Sequence, residues 1–511
     1  MVQSGGFYVQ KLTLLLAISS LLSRLIGVYR NHELANLFGA SGVSDAYFAA
    51  FQIPDTLYRL FIFGAISASF VPLFLSLKKK NDEEAWAFVS SVMNGFLLFI
   101  LAVALVIFFF ASSCVSILYP QFTPELQEMT ANLLRIMMIS PILFTFSSVF
   151  SGIENAFRSF WGFALAPIVY NVGILFGISF LAPTMGIYGV AYGVVIGAFL
   201  HAFVQFIPAM RLGFKWKPLF VWSENFKKLL ITSVPRVLSM AGSQINFFIE
   251  GVIATTLALG NLTVLRYAQD IQSFPIGIIG LSMAISSFSV LSHFVIDEKI
   301  DDLAEYVKDK LDHLFLLIIP AAVGLWILRV PIIELVLGGG DFDQGSVMLT
   351  AQTLSYLCIG LVAAAIIPMI TRIFFAFHDT FWPFVVTIFS VLINTLLALY
   401  FSKTMGIAGV GLASAISSTL SLVAFVIILK WKYFKEASFL SLQNFSIFLG
   451  ASGVMAYLLN QLTIQIPFSD HWMPLLFQIS LLTIAGVAIY GSVTFLFLRK
   501  RWVELVRTLG K

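Results

Sequence analysis

Apolar stretches long enough to cross a bilayer recur along the whole chain, and no other feature narrows its fold so far. A hydrocarbon core about 30 Å thick takes roughly 20 apolar residues in a helix. Fourteen such stretches are read near residues 9–36, 45–77, 85–118, 125–156, 160–181, 186–211, 226–258, 263–295, 304–336, 346–377, 381–402, 406–433, 442–465 and 473–498. Lipid offers the backbone no hydrogen-bond partner, so each crossing must satisfy its N–H and C=O groups internally, as a helix does. Composition agrees: 59% of residues are hydrophobic and only 11% charged, against about 25% charged in a soluble domain. A soluble chain this apolar could not cover its own surface. Cys114 and Cys358 both fall in apolar stretches, which implies no disulfide framework or thiolate metal site. The first stretch is broken by Arg24 and Arg30, so it reads as a crossing and not as a cleaved signal.

The connecting loops sort by sign. Lys78-Lys79-Lys80, Arg158, Arg211 with Lys215, Lys217, Lys227 and Lys228, then Lys299, Lys308 and Lys310, then Lys430, Lys432 and Lys435, and finally Arg499-Lys500-Arg501 fall on one side. The alternate loops hold Lys403 as their one basic residue. The positive-inside rule then puts both termini in the cytoplasm and requires an even number of crossings. The chain also repeats itself at a spacing near 220. AFRSFWGF (156–163) returns as AFHDTFWPF (376–384), MGIYGV (185–190) as MGIAGV (405–410), and Pro54 is answered by Pro275. Six crossings per copy is an even number, so the copies share one orientation, the plan of a transporter with parallel repeats around a central cavity. The expected organisation is a six-helix lobe over 1–217, a second over 218–438, and two additional helices over 439–511. The small residues Gly189, Gly193 and Gly197 recur four apart, which favours close helix packing.

An ionisable group inside a crossing costs about 2.5–3.5 kcal/mol on insertion scales and needs a partner or a wet cavity. Crossing one carries Arg24, Arg30 and Glu33. Crossing two carries Asp45, Gln52, Asp55 and Arg59 on one helical face, with Asp55 and Arg59 spaced to pair at i,i+4. Pro54 interrupts that helix and is expected to bend it. Crossing seven holds Arg236, Ser239, Ser243, Asn246 and Glu250 in a stripe, and crossing eight holds Arg266, Gln269, Asp270 and Ser273. One reading makes these charges structural pairs between helices, or groups that snorkel to a headgroup layer. Glu33 and Asp45, near the outer helix ends, fit it best. For the set as a whole a polar cavity is the better reading. Its excess of arginine suits a phosphate, which the planar guanidinium grips with two parallel hydrogen bonds.

The segment SRLIGVYR, followed by LFGASGVSDAYFAAFQIPDTLYRLF and GAISASFVPLF (23–74), resembles the MurJ (MviN) lipid II flippases of the multidrug/oligosaccharidyl-lipid/polysaccharide exporter superfamily. The likeness continues through QIN (244–246), YAQDIQSFPIGIIG (267–280), LGGGDFD (337–343) and FFAFHDTFWP (374–383). The resemblance implies a carrier that moves undecaprenyl-diphosphate-linked peptidoglycan precursor from the inner to the outer leaflet of the bacterial plasma membrane by alternating access. It implies arginines on the diphosphate and a lipid-tail groove on the last two helices. Arg24, Arg30 and Asp45 stand where the family has them. Asn31 stands at a usual aspartate, Asp55 at an asparagine, Tyr58 at an arginine and Phe63 at a glutamate, while Arg59 keeps the second arginine. Gln269-Asp270 replaces Asp-Arg, and Arg266, one turn earlier on the same face, is expected to take the lost role. The expected substrate-binding set is therefore Arg24, Arg30, Arg59, Arg266, Asp45, Asp55 and Asp270. Glu250 stands where some relatives have an aspartate. With Asn394 and Ser414 it forms a candidate sodium site; the alternative is a protonated or paired glutamate.

No enzyme constellation is present. The six histidines are scattered, and GGGDFDQG (338–345) lacks the Gly-Lys-Ser/Thr of a nucleotide loop and reads as a turn. The run 297–310 reads as a linker and solvated helix start. No cofactor is expected, with sodium or the membrane potential as the driving force. The expected partners are the lipid-linked precursor and bilayer lipids, with no nucleic acid and a monomer as the working unit. The alternatives are a flippase for another polyprenyl-diphosphate glycan, a cation-coupled drug exporter, which the cationic cavity and the extra helices disfavour, and a non-transporting membrane scaffold.

Overall fold

The computed structural model describes residues 3–218, 220–435, 437–465, 468–469 and 471–509, and these form helices and short connections. The helices fall into two compact units. Unit 1 comprises residues 1–263 with 340–342, and unit 2 comprises 264–339 with 343–511. Unit 1 contains α1 (Gln3–Phe38), α2 (Gly42–Leu57), α3 (Gly64–Lys80), α4 (Asp82–Leu118), α5 (Pro124–Met137), α6 (Ile139–Ala156), α7 (Trp161–Phe176), α8 (Ala182–Met185), α9 (Ile187–Arg211) and α10 (Glu224–Thr255). From α11 (Asn261–Pro275) the chain passes into unit 2, with α12 (Ser282–Ile296), α13 (Ile300–Ile327), α14 (Arg329–Leu337), α15 (Gln344–Ala376), α16 (Phe381–Met405), α17 (Ile407–Lys432), α18 (Leu442–Gln465) and α19 (Trp472–Leu509).

Eleven spans among the described residues are long and apolar enough to cross a membrane. The other three expected crossings correspond to α1, α2 with α3, and α10, which are helical as well. These segments hold many of the charges and polar stripes read from the sequence. Large apolar side chains cover the lipid-exposed faces: Phe109, Ile117, Leu396 and Leu496 are all exposed, as lipid contact permits and water would not.

Small residues set how closely the helices approach. A Cβ on Gly173 of α7 would lie 2.4 Å from Gly197 Cα of α9, and one on Gly177 would lie 2.5 Å from Gly193 Cα. The stripe Gly189–Gly193–Gly197 is thus a contact face, as its spacing led one to expect. The helices around the paired prolines are also alike. Pro54 lies just ahead of a π-helical turn at Tyr58–Phe63, and Pro275 directly precedes another at Ile276–Leu281. Proline supplies no N–H to the helical ladder, and the wider turns re-register the chain beyond it. The internal repeat reappears in the backbone angles. Arg158 and His378 both have φ 56°. Gly186 (φ 58°, ψ −141°) and Gly406 (φ 61°, ψ −141°) share a conformation that side chains disfavour. The glycine of each MGI motif therefore turns the chain between two helices.

In unit 2, α18 and α19 pack together and against α13 and α14. The Asn444 amide donates to Asp312 Oδ2 at 2.5 Å, a part-buried link from α18 to α13. An apolar hollow of about 360 Å³ lies where α13, α15 and α18 meet, lined by Ile319, Val323, Cys358, Phe445 and Leu449 among others. The α16 start is held by Asp379. Its Oδ1 accepts from the backbone N–H groups of Phe381 and Trp382, and its Oδ2 accepts from Lys432 Nζ at 2.8 Å and the Tyr433 hydroxyl at 2.7 Å.

Replacing Gly193 by leucine forces α7 from α9 and should cost about 1–3 kcal/mol. It should lower the melting temperature in detergent, whereas Gly450→Leu, where an added Cβ meets nothing within 4 Å, should leave it unchanged. Equal melting of the two variants would contradict the packing described. Burial raises the pKa of the Asp379 carboxyl, but its hydrogen bonds from Lys432, Tyr433 and Trp382 outweigh burial and hold the pKa below the ordinary aspartate value. A lowered folded pKa stabilises at neutral pH, and the contribution disappears as pH falls through it. Asp379→Asn should therefore melt below wild type at neutral pH, with the difference shrinking below about pH 4.

Candidate functional site

The charged residues of unit 1 divide by what holds them. Arg30 lies in the second half of α1, where its guanidinium meets two side-chain amides. Nε and one terminal nitrogen donate to Asn31 Oδ1 at 3.2 and 2.8 Å, and the other terminal nitrogen donates to Asn171 Oδ1 at 3.0 Å. Asn171 of α7 is oriented in turn, because its Nδ2 reaches the Ser23 carbonyl, the Ser23 hydroxyl and the Pro167 carbonyl. Among the described residues Arg30 forms no ion pair. Its orientation is fixed while its charge is left in place. Arg24, two turns earlier, is partly exposed.

Crossing two behaves differently. Asp55 and Arg59 pair at 2.7 Å, the i,i+4 bridge its spacing promised, with the arginine side chain 54% exposed. Tyr58, between them in sequence, is turned inward, where it hydrogen-bonds Ser148 and packs its ring 4.6 Å from that of Phe144. Tyr170 lies within electrostatic range of Arg30, Tyr47, Asp55 and Arg59. Unit 1 thus brings Arg30, Asp55 and Arg59 around one tyrosine, with one net positive charge left after Asp55 offsets Arg59.

Asp45 is not in that group. It is 1% exposed, and both its oxygens are occupied. Oδ2 accepts from Gly260 N at 2.7 Å, and Oδ1 from Thr263 N at 2.8 Å and Thr263 Oγ1 at 2.7 Å. The carboxylate ties the start of α2 to the turn after α10. The chain crowds there, since a Cβ on Gly260 would lie 2.2 Å from the Ala40 carbonyl oxygen. Glu250 is buried in α10 and accepts from Asn246 Nδ2 at 3.1 Å. The Arg236, Ser239 and Phe63 side chains lie outside the described residues.

In unit 2, Arg266 is 5% exposed and donates to Gln269 Oε1 at 2.9 Å. Asp270 is exposed, Asn394 of α16 is buried and Ser414 of α17 is partly exposed. Sequence reasoning missed Asn171, the residue that positions Arg30. Its one signal was an amide in an otherwise apolar helix, and attention to charges alone passes over it.

The family model described as "Lipid II flippase MurJ" matches residues 34–483. The chain is 28% identical over 434 residues to a "Probable lipid II flippase MurJ" of Thermotoga maritima, covering 85% of this chain and 88% of the relative. It is 28% identical over 455 residues to the "Lipid II flippase MurJ" of Burkholderia cenocepacia, covering 86% and 87%. Among solved structures, "Lipid II flippase MurJ, inward closed conformation" superposes with TM-score 0.81 at 28% identity, covering 95% of this chain and 99% of that one. An inward-facing MATE family transporter of the MOP superfamily shares the fold, with TM-score 0.67 at 18% identity over 81% of this chain and 95% of that one.

Removing the Asp45 carboxylate leaves two backbone N–H groups and a hydroxyl buried without their acceptor, at about 1–3 kcal/mol each. Asp45→Ala should lower the melting temperature sharply. Asp45→Asn, which keeps one carbonyl oxygen, should fall between it and wild type. A wild-type melting curve for Asp45→Ala would show that the clasp carries no stability.

Proposed function

The chain belongs to the lipid II flippase MurJ family, and we propose that it carries an undecaprenyl-diphosphate-linked peptidoglycan precursor from the inner to the outer leaflet of the bacterial plasma membrane by alternating access, with both termini in the cytoplasm. The observation that carries this reading is Arg30, whose guanidinium is held by the neutral oxygens of Asn31 and Asn171 and by no described carboxylate. A neutral clamp fixes direction without cancelling charge. A diphosphate then supplies the missing anion, and the planar fork can meet two of its oxygens at once. Where relatives usually have an aspartate, Asn31 keeps that charge available, which suits a chain that has lost two other family arginines.

Arg24, Arg59 and Arg266 are the further cationic contacts in this reading, with Asp55 and Asp270 tuning the charge between them and Asp45 holding the frame. Arg266 takes the role of the arginine replaced by Asp270. The polyprenyl tail stays in lipid, and the apolar hollow beside α18 supports a tail groove on the two additional helices. The three organisational parts, over 1–217, 218–438 and 439–511, serve as two carrier lobes and a tail-binding appendage. Transport needs no bond-making by the protein. A gradient or the membrane potential drives it, at about 2.3 kcal/mol per charge moved through 100 mV. Glu250, Asn394 and Ser414 supply oxygens of the kind that sodium takes.

The departures at Asp55, Tyr58 and Gln269-Asp270 favour one second reading, a flippase for a different polyprenyl-diphosphate glycan. Complementation of a strain depleted of its own lipid II flippase separates the two. Growth restored by this chain, lost with Arg30→Ala and partly kept with Arg30→Lys is the expected outcome, and lack of rescue by a well-expressed chain favours the other glycan. Within a rescuing chain, full activity of Arg266→Ala alongside loss in Arg30→Ala would remove Arg266 from the site.

A further inference from the structure

Unit 1 contains a second polar region, behind Tyr58, that the arginine set does not use. A cavity of about 390 Å³ opens among α6, α7 and α9, with Ser147, Ser151, Asn155, His201 and Gln205 in its lining. Ser147 Oγ and His201 Nδ1 are 2.6 Å apart. Hydroxyls, amides and an imidazole share the lining with Val71, Phe163 and Pro167, around a space large enough for about ten waters. At the end of α6 two buried oxygens have no hydrogen-bond partner among the described residues, Glu154 Oε1 and Gln205 Oε1. Their residues are 0% and 2% exposed. Glu154 Oε1 lies close to the α9 backbone, because a Cβ on Gly162 would lie 2.4 Å from Glu154 Oε1 and 2.9 Å from Gln205 Cα. The other oxygen of Glu154 is spoken for: Oε2 accepts from Gly162 N at 2.9 Å and Phe163 N at 3.3 Å, at the start of α7.

Unit 2 builds the corresponding clasp with a different completion. Asp379 holds the start of α16 by two backbone N–H groups, and its second oxygen takes the Lys432 ammonium and the Tyr433 hydroxyl. In unit 1 the second oxygen of the carboxylate has no cation beside it. The ionisable groups on the surrounding elements are Tyr188, Tyr192, His201 and Arg211 of α9, Tyr170 of α7, Tyr58 and Arg59 of the π-helical turn, Lys78, Lys79 and Lys80 of α3 and Arg158 of the adjoining loop. Lys78 is engaged by Asp82, and among the described residues none of the cations pairs with Glu154. A buried carboxylate oxygen with no donor is unfavourable, and a proton relieves it by removing the charge and supplying a donor.

We propose that Glu154 is an exchangeable proton site. Its Oε1 takes a proton from a hydronium ion in the chamber, leaving water behind, and the new acid O–H donates to Gln205 Oε1. One O–H bond breaks and one forms, and the site passes from a single negative charge to neutral. Gln205, chamber water and the Ser147–His201 pair, one helical turn away on α9, form the polar route along which the proton exchanges. This adds a coupling ion to the flippase reading, and the spectroscopic test below does not depend on that reading.

Infrared titration of the purified chain in lipid nanodiscs tests it. Acidification should bring up the C=O band of a buried protonated carboxyl. That band should be lost in Glu154→Gln, shifted in Gln205→Leu, and indifferent to replacement of choline by sodium. A band that persists in Glu154→Gln overturns the assignment. So does a band abolished by sodium, which would put a metal cation between the two oxygens. If Glu154→Gln does not fold, an unshifted band in Gln205→Leu is equally decisive against it. In proteoliposomes that flip the precursor, Glu154→Gln should lose the response of rate to a pH gradient, and an unaltered response would rule out coupling through this carboxyl.

Discussion

A charge taken out of water must be given something in return, and in this chain the identity of that return partner separates scaffold from site. Asp45 is surrounded by two backbone N–H groups and a hydroxyl, so its charge is spent on holding a turn. Asp379 meets an ammonium and a phenol as well as a helix start. Asp55 and Arg59 cancel each other. Arg30 and Glu154 depart from this pattern. Arg30 is oriented by amides that cannot cancel it, and Glu154 Oε1 is buried with no hydrogen-bond partner among the described residues. Incomplete compensation in a low-dielectric setting is costly, and it is where an anion and a proton have most to offer.

The helical frame makes such incomplete sites sustainable. Close contact between α7 and α9 rests on glycines whose Cα atoms meet the opposing backbone, which leaves little freedom for the helix that carries Asn171. With Asn171 fixed by Ser23 and Pro167, the direction of Arg30 follows. The π-helical turns beyond Pro54 and Pro275 act in the same sense. They break the register of the second crossing in each repeat, and in unit 1 that places Tyr58 inward while Arg59 stays at the exposed face. A binding group set on rigid neighbours gives up little entropy when its ligand arrives.

Some of this was legible residue by residue. The i,i+4 spacing of Asp55 and Arg59 needs only helical geometry, and the glycine stripe on α9 needs only a neighbour. The MGI motif was visible as a repeat, and the structure puts its glycine at a turn with a backbone angle other residues avoid. Asp45 was harder, because a carboxylate near a helix start reads equally as ligand or as cap until its donors, more than 200 positions away, come into view. Asn171 and Glu154 were invisible for the same reason. An amide and a glutamate in apolar helices acquire meaning only from what faces them across the packing.

The sequence by itself determined that this chain is a bundle of membrane-crossing helices in two related halves, because length, apolarity and the backbone's need for internal hydrogen bonds admit little else. It also marked which charges fall within those helices. Only the tertiary structure decided which of them are cancelled and which are not, since that depends on donors and acceptors brought together from distant helices at distances near 3 Å. Desolvation makes each such contact or its absence count strongly, and so a single amide in place of a carboxylate beside Arg30 separates a buried strut from a waiting cation.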